Sequence, residues 1–501
     1  MNLPFRRLAL AIRPDFTLGD LLERLAEHNG DHRLVEEADD GLRLTYAQAA
    51  KRVRRWAGGI AARIEVGDRV VVATPNTYEM LLLCLAASRA GGIPVPVNPQ
   101  LTRAEFDHVV ANSQAALVLR GAAAVDDGEP LATAVPADVG DVAALFYTSG
   151  TTGQPKGVEV SHRALLSSFG RAAAVHPGIS GRMEAVVSLP IAHVMGFIVL
   201  LGLACGGVPA YFIPKFHPVR VLDAIESRRA SIFVGVPAMY RMLLEAGAPE
   251  RDLRSIRIWG SGADAMPSDL AATFKKLGGT VGLPVVGTVG QATFVEGYGM
   301  VELGGGAAAK LSPPFLHVGL GSDAFGFPLP GYKFRVVDPD TGADLGVGHS
   351  GELLVKGPGV TTGYWGDHEA SASVVTDDGW LHTGDLARLG PLGTVLFEGR
   401  AKDVIKVGGY SVYALEVEKA LEAHPEVLEA AVVALPDQRD GEVPGAVVRL
   451  RRPVPVEQLE AFAAERLAAY KVPRRWLVVD ELPRTGTDKV RKRELVGRFD
   501  P

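Results

Sequence analysis

Residues 147–157 read Tyr147-Thr148-Ser149-Gly150-Thr151-Thr152-Gly153-Gln154-Pro155-Lys156-Gly157, and they follow the apolar stretch VAALF (142–146). Small hydroxylated residues and glycines let a backbone approach an anion closely. Its N–H groups and hydroxyls then cradle phosphates, and Lys156 adds a point charge. The order GxxxxGK[ST] of a Walker loop is absent. A plain surface loop is the alternative, but a chance loop rarely carries the whole string.

Around this string, strand-like runs alternate with helix-like ones. RVVVATP (69–75), AALVLR (115–120) and SIFVGV (231–236) have the composition of buried strands. TYEMLLLCLAASRAGG (77–92) reads as a helix ended by glycines, and VRVLDAIESRR as a helix before the third strand. This rhythm predicts an α/β fold with layered parallel sheets over a large N-terminal domain, residues 1–399. From about residue 320, GFPLPGYKFRVVDPDTG and GELLVKGPGV are rich in turn residues, which predicts a β-rich subdomain up to 399. Residues 400–501 carry short signals, ALEVEKALEAH (414–424), AAVVAL (430–435), AVVRL (446–450) and VEQLEAFAAERLA (456–468), of a small α+β domain.

Bulk composition narrows the classes. The 501 residues are too many for one core. A net charge of -6 argues against a general nucleic-acid binder. Cys84 and Cys205 lie far apart in apolar runs, as buried small hydrophobes would, without metal-ligand spacing; a reducing, cytoplasmic setting is expected. The apolar stretch Leu8–Ile12 is too short for a signal peptide. Val194 to Ile213 carries no charge and is long enough to span a bilayer, yet Gly206, Gly207 and Pro209 interrupt it. A helix of about a dozen residues followed by the strand VPAYFI is expected instead.

Further segments fall into a known order: Pro190-Ile191-Ala192-His193-Val194-Met195-Gly196, Glu296-Gly297-Tyr298-Gly299-Met300-Val301-Glu302, Trp380-Leu381-His382-Thr383-Gly384-Asp385, Gly399-Arg400-Ala401-Lys402-Asp403 and Thr485 to Lys489. With the 147–157 string, the chain resembles the adenylate-forming superfamily from about Gly67 to about Leu495. Gly408-Gly409 and Tyr470-Lys471-Val472-Pro473-Arg474 are more typical of its acyl-CoA ligases. The resemblance implies ATP or an acyl-adenylate, coenzyme A and Mg²⁺ as ligands, and a mobile C-terminal domain turning about a hinge at Lys402. One pose brings Lys489 to the active site; the other lets Gly408 and Gly409 line a tunnel for the pantetheine arm.

It also implies residue roles. Thr148, Ser149, Gly150, Thr151, Thr152, Gly153 and Lys156 hold phosphates. Gly262, Ala263, Tyr298, Gly299 and Val301 surround the nucleotide, with the Tyr298 ring against adenine. Asp385 accepts the ribose hydroxyls, and Arg400 donates to ribose or phosphate. Glu302 is the Mg²⁺ carboxylate. Lys489 is the catalytic lysine, offsetting charge as the acid attacks the α-phosphate. His193 lies beside the substrate carboxylate, while His162 and His382 read as structural. Lys471, Arg474 and Arg475 form a basic cluster for the CoA phosphates, or a solvated face.

Three positions depart from the family pattern. Val301 stands where threonine usually precedes the glutamate, and removes a donor to the α-phosphate. Asp488 stands where glycine usually precedes the catalytic lysine, and puts a charge near incoming phosphates. Ser261-Gly262-Ala263-Asp264-Ala265-Met266 replaces the usual SGGAPL and narrows or recharges the adenine side. All three fall on the adenylation side, so a variant that only converts a supplied acyl-adenylate to the thioester is a second reading. A stand-alone adenylation enzyme loading a carrier protein and a catalytically dead adenylate-binding module are others.

The small side chains at Gly304-Gly305-Gly306-Ala307-Ala308-Ala309, with Gly202, Ala204, Gly206 and Gly207, favour a bulky apolar acid over acetate. Expected partners are a small carboxylic acid or its adenylate and CoA, with no nucleic acid and no membrane span; a homodimer stays open.

Overall fold

Each apolar run takes the form its pattern predicts. Arg69–Val72, Ala115–Leu119 and Ile232–Gly235 are strands; Tyr78–Arg89 and Pro218–Arg228 are helices. The uncharged run divides into the helix Val194–Gly206, ended by Gly207 at φ 67, and the strand Ala210–Phe212. Its 13 residues rise about 20 Å, short of the roughly 30 Å of a bilayer core. Among the described residues no helix is long and apolar enough to cross a membrane.

This computed structural model describes residues 17–149, 154–166, 183–283, 287–314, 324–390, 393–484 and 490–499. The expected phosphate contacts at Gly150, Thr151, Thr152 and Gly153, the side chain of Ser149, Asp488 and Lys489, the expected catalytic lysine, lie outside the described residues.

Contacts divide the chain into two units, Met1–Lys333 with Val355–Leu381, and Phe334–Leu354 with His382–Pro501. The β-rich stretch 320–399 is therefore shared between them.

In the first unit, strands Arg33–Glu37, Ala210–Phe212, Ala185–Val187, Ile232–Gly235, Ile258–Gly262 and Thr293–Tyr298 run parallel in that order. Antiparallel Arg43–Thr45 closes one end, and Ala308–Ser312 then Ala324–Pro328 extend the other. A parallel sheet needs cover on both faces. Phe233, Trp259, Tyr240, Phe274 and Phe294 form an edge-to-face aromatic cluster on one, and the Tyr240 hydroxyl donates to the Gly260 carbonyl at 2.7 Å. A second sheet, Ile93–Pro96, Arg69–Val72 and Ala115–Leu119, is wholly parallel. The phosphate-loop string is the end of a separate hairpin, Val142–Ser149 with Pro155–Ser161.

His162 is structural, as expected. It is 4% exposed, and its Nδ1 accepts from the Leu18 amide at 3.1 Å. Burial lowers its pKa to about 4, against the opposing pull of Asp141 and Asp20. An unfolded histidine protonates near pH 6.5, so the unfolded chain binds more protons in the window between about 6.5 and 4. Stability from this group is whole above about pH 6.5 and falls by about 3 kcal/mol as the pH drops to about 4. His162→Asn keeps an acceptor without the titration. Its unfolding free energy is expected to decline less steeply from pH 7 to 4.5, and parallel slopes would refute this account.

In the second unit, Lys333–Val337, Ser350–Lys356, Leu381–Leu389 and Val395–Arg400 form a ladder. The hairpins Val404–Val407 with Tyr410–Tyr413 and Val427–Asp437 with Gly441–Leu450 follow, and Arg475–Val478 adds in parallel. Helices Ala414–Glu422 and Val456–Ala464 cover one face through Val417, Leu421, Leu459 and Ala463. Leu482, Leu495 and Phe499 cover Val433 and Val447. This is the expected α+β arrangement.

Candidate active site

The carboxyl ends of parallel strands are where open α/β sheets bind ligands. Two such ends lie side by side in the first unit: Ser261 pairs with Glu296 and Gly262 with Gly297. The Ser261 hydroxyl is buried there with no hydrogen-bond partner among the described residues. A Cβ on Gly262 would come within 3.4 Å of the Met195 side chain, so the segment after Pro190 adjoins this edge.

That segment is shaped by three contacts. Asn76 accepts from the Ile191 amide at 2.8 Å and donates to the Pro214 carbonyl at 2.8 Å. Gly196 lies so close to the Pro190 carbonyl that a Cβ would sit 2.1 Å from its oxygen. His193 caps the helix Val194–Gly206, its Nδ1 accepting from the Met195 amide at 3.2 Å. A neutral ring held this way carries its proton on Nε2, a donor of the kind a carboxylate takes.

After Tyr298 the chain turns tightly. A Cβ on Gly299 would lie 1.5 Å from the Gly305 carbonyl oxygen, on Gly304 2.6 Å from Ala164, and on Gly305 2.2 Å from Ile198. Three glycines of this region therefore serve close packing. Gly306 differs: a Cβ there would make an ordinary 3.7 Å contact with the Leu329 side chain. Tyr298, Val301 and Glu302 are all buried, and Val301 belongs to the large apolar cluster.

Ala263 adopts φ 68, a left-handed conformation that favours glycine. The exposed Asp264 turns its carboxylate back on the Ala265 amide at 2.8 Å. Ala263→Gly is expected to stabilise the protein by about 1 kcal/mol in urea unfolding. A destabilised variant would show that the Ala263 methyl is needed for packing.

The hairpin places Thr148 opposite Lys156. A strap from Thr361 to Asp367 lies on it: Glu159 donates its amide to the Gly363 carbonyl at 3.0 Å, Trp365 to Gly157 at 2.8 Å, and the Thr361 hydroxyl to Glu159 at 2.6 Å. The strap carries two residues that the motif reading did not single out. The Tyr364 hydroxyl donates to Glu302 Oε1 at 3.0 Å, and its ring lies 5.4 Å from the Lys156 ammonium. Asp367 pairs with that ammonium at 3.0 Å and caps the helix His368–Val374. The Ala370 amide, then Lys156, holds the Asp367 carboxyl below its usual range. Residues 363–366 belong to none of the strings singled out in the sequence, so only their pairing with the hairpin reveals them.

In the second unit, Asp385 and Arg400 face each other across paired strands, with Arg400 Nε 3.2 Å from the buried Asp385 carboxylate. His382 Nδ1 lies 3.0 Å from Glu352, a structural contact. Lys402 sits in the short turn Ala401–Asp403. Gly408 and Gly409 have φ 53 and 90 and form the two-residue loop of a hairpin, a geometry that itself selects glycine. Lys471 pairs with Glu416 at 2.6 Å and Arg474 with Asp440 at 2.6 Å, so carboxylates already meet two members of the basic cluster, while Arg475 donates to the Phe499 carbonyl.

Layered parallel sheets with this hairpin and these adjoining strand ends, and an α+β second unit, define an adenylate-forming protein. The chain belongs to the AMP-binding enzyme family: that family's model matches residues 22–132 and 120–365, and the AMP-binding enzyme C-terminal domain matches 416–489. It is similar to a feruloyl-CoA synthase of Amycolatopsis sp, 34% identical with 92% of this chain and 94% of the relative covered. It is 31% identical to the 3-[(3aS,4S,7aS)-7a-methyl-1,5-dioxo-octahydro-1H-inden-4-yl]propanoyl:CoA ligase of Mycobacterium tuberculosis, covering 96% and 98%. The ATP-bound crystal structure of MatB from Rhodopseudomonas palustris superposes with a TM-score of 0.84 at 30% identity, covering 97% and 99%. Within the family the chain is an acid–thiol ligase of the AMP-forming, acyl-CoA synthetase kind.

Proposed function

We propose that this enzyme makes the CoA thioester of a bulky apolar carboxylic acid by way of an acyl-adenylate. The observation that carries the reading is that the strand end Ser261–Gly262 lies beside Glu296–Gly297, which runs into Tyr298 and the turn bearing Glu302, with Met195 against Gly262. A purine fits against Tyr298 and the Gly262–Ala263 turn, and the Ser261 hydroxyl offers it a polar contact. The acid carboxylate lies by His193, attacks the α-phosphate and expels pyrophosphate. Thr148, the 149–153 loop and Lys156 hold the phosphates, and Lys489 offsets the developing charge. Asp385 and Arg400 take the ribose. The CoA thiol then attacks the acyl carbon and AMP leaves. Gly408, Gly409, Lys471 and Arg474 serve that step after rotation about Lys402, and the basic pair exchanges its carboxylates for CoA phosphates.

Among the described residues no group of three His, Cys, Asp or Glu could hold a metal by itself. One buried carboxylate, Glu302, suits Mg²⁺, which takes one or two carboxylates with substrate phosphates and water. Bound there, the ion would neutralise phosphate charge.

A bulky acid is supported by the acyl groups in the names of the two ligases above. A second reading, conversion of a supplied adenylate only, is favoured by the apolar surroundings of Val301 and by Asp367, which sets a negative charge 3.0 Å from the phosphate-loop lysine. Mass spectrometry of CoA thioesters separates them. The protein, Mg²⁺ and CoA are incubated with bulky acids plus ATP, or with the matching synthetic acyl-adenylates. Thioester in both arms supports the complete ligase; thioester in the adenylate arm alone supports the second reading. None in either arm, or acetate as best substrate, counts against the proposal.

A further inference from the structure

Tyr364 touches both charged groups expected around the triphosphate. Its hydroxyl donates to Glu302 Oε1 at 3.0 Å, and its ring lies 5.4 Å from the ammonium of Lys156. It is not free to swing. The strap fixes its backbone, since Val158 and Tyr364 form an antiparallel bridge and Glu159, Gly157 and Thr361 bond on either side. The Tyr364 amide also donates to the Ser371 hydroxyl at 2.8 Å, tying it to the following helix. On the other side, the Thr361 amide donates to the Glu302 carbonyl at 2.8 Å, so the same strap holds the backbone of Glu302.

A phenol placed this way has a specific consequence. A carboxylate has two oxygens; a donor on Oε1 fixes the rotation of the group and directs Oε2 elsewhere. A bound cation needs an oxygen in a set direction, and partners behind a ligating carboxylate govern metal affinity as the ligand itself does. The ring presents its negative face toward Lys156 at a cation–π distance. We infer that Tyr364 is a positioning residue: it orients Glu302 toward Mg²⁺ and its ring backs Lys156, whose ammonium is held by Asp367, so that metal and ammonium meet the triphosphate in register. The inference rests on Glu302 being the metal carboxylate.

The test measures binding rather than turnover. Affinity for a non-hydrolysable ATP analogue, α,β-methylene-ATP, is determined by calorimetry without Mg²⁺ and at stepped Mg²⁺, for wild type, Tyr364→Phe, Tyr364→Leu and Glu302→Gln. The phenylalanine variant keeps the ring and loses only the hydroxyl. It is expected to lose about 10-fold or more of the Mg²⁺-dependent gain in affinity while its Mg²⁺-free affinity stays near wild type. Tyr364→Leu is expected to weaken both. Thioester formation from a synthetic acyl-adenylate, which needs no triphosphate, is expected to be preserved in Tyr364→Phe; its loss would reveal a merely structural role. If Glu302→Gln abolishes the Mg²⁺ effect and Tyr364→Phe does not, the inference is wrong and the metal assignment stands. If neither variant alters the Mg²⁺ effect, or wild type shows none, the metal assignment fails and the inference falls with it.

Discussion

Replacing Val301 by threonine and Asp488 by glycine in one variant is expected to raise ATP-dependent adenylation by at least about 10²-fold, read as pyrophosphate release with the preferred acid. Each change acts on the developing negative charge. A threonine at 301 returns a hydroxyl donor where the family pattern has one, and losing a single well-placed donor typically costs about 10²–10³ in rate. Removing Asp488 lifts a repulsion that ATP, with about four negative charges, feels more than an acyl-adenylate with one; at about 4 Å one pair is worth roughly 1 kcal/mol in water and 4 at a surface-like dielectric. The thioesterification step should therefore change little. Val301 is 8% exposed within the apolar cluster, so the hydroxyl brings a desolvation cost, and a modest loss of stability should accompany the gain. A double variant no faster than wild type would show that these two departures are tolerated variation, and the reading as an adenylate-only enzyme would be withdrawn.

Glu302→Gln is expected to lower the ATP-dependent rate by about 10²–10³-fold while sparing thioester formation from a synthetic adenylate. The substitution is chosen from the contacts. A glutamine oxygen still accepts from the Tyr364 hydroxyl, and the backbone bond from Thr361 is unchanged, so the strap stays in place. What is lost is one negative charge beside the triphosphate, and with it the carboxylate that an oxygen-seeking cation prefers. Higher Mg²⁺ should recover part of the rate. Equal losses in both arms would mean that the glutamate holds the fold, and undiminished adenylation would mean that the metal is held elsewhere.

Much of the candidate site was legible because its chemistry is carried by contiguous strings. Glycines at fixed offsets announce close backbone approach, and the structure supplies the reason at Gly196 and Gly299, where a Cβ would strike a carbonyl oxygen. His193, Tyr298 and Glu302 sit just beyond or at strand and helix ends for the same local reason. Tyr364 and Asp367 were not legible. Nothing in GYWGD states that it will lie along the 155–161 strand, because that pairing joins residues some 200 positions apart. Small size also misled in part: at 299, 304 and 305 glycine answers the close approach of neighbouring atoms.

The sequence by itself determined the family, the alternation of buried strands and amphipathic helices, the α+β character of the last hundred residues and the three departures on the adenylation side. These follow from local periodicity and from motifs whose order is written along the chain. The tertiary structure alone decided which carboxylate meets which ammonium: Asp367 with Lys156, Glu416 with Lys471, Asp440 with Arg474. It alone decided that Ala263 bears a left-handed backbone and that Tyr364 meets both Glu302 and Lys156. Charge pairs and strain arise from distances in space, and composition fixes how many charges there are without fixing which of them come within reach.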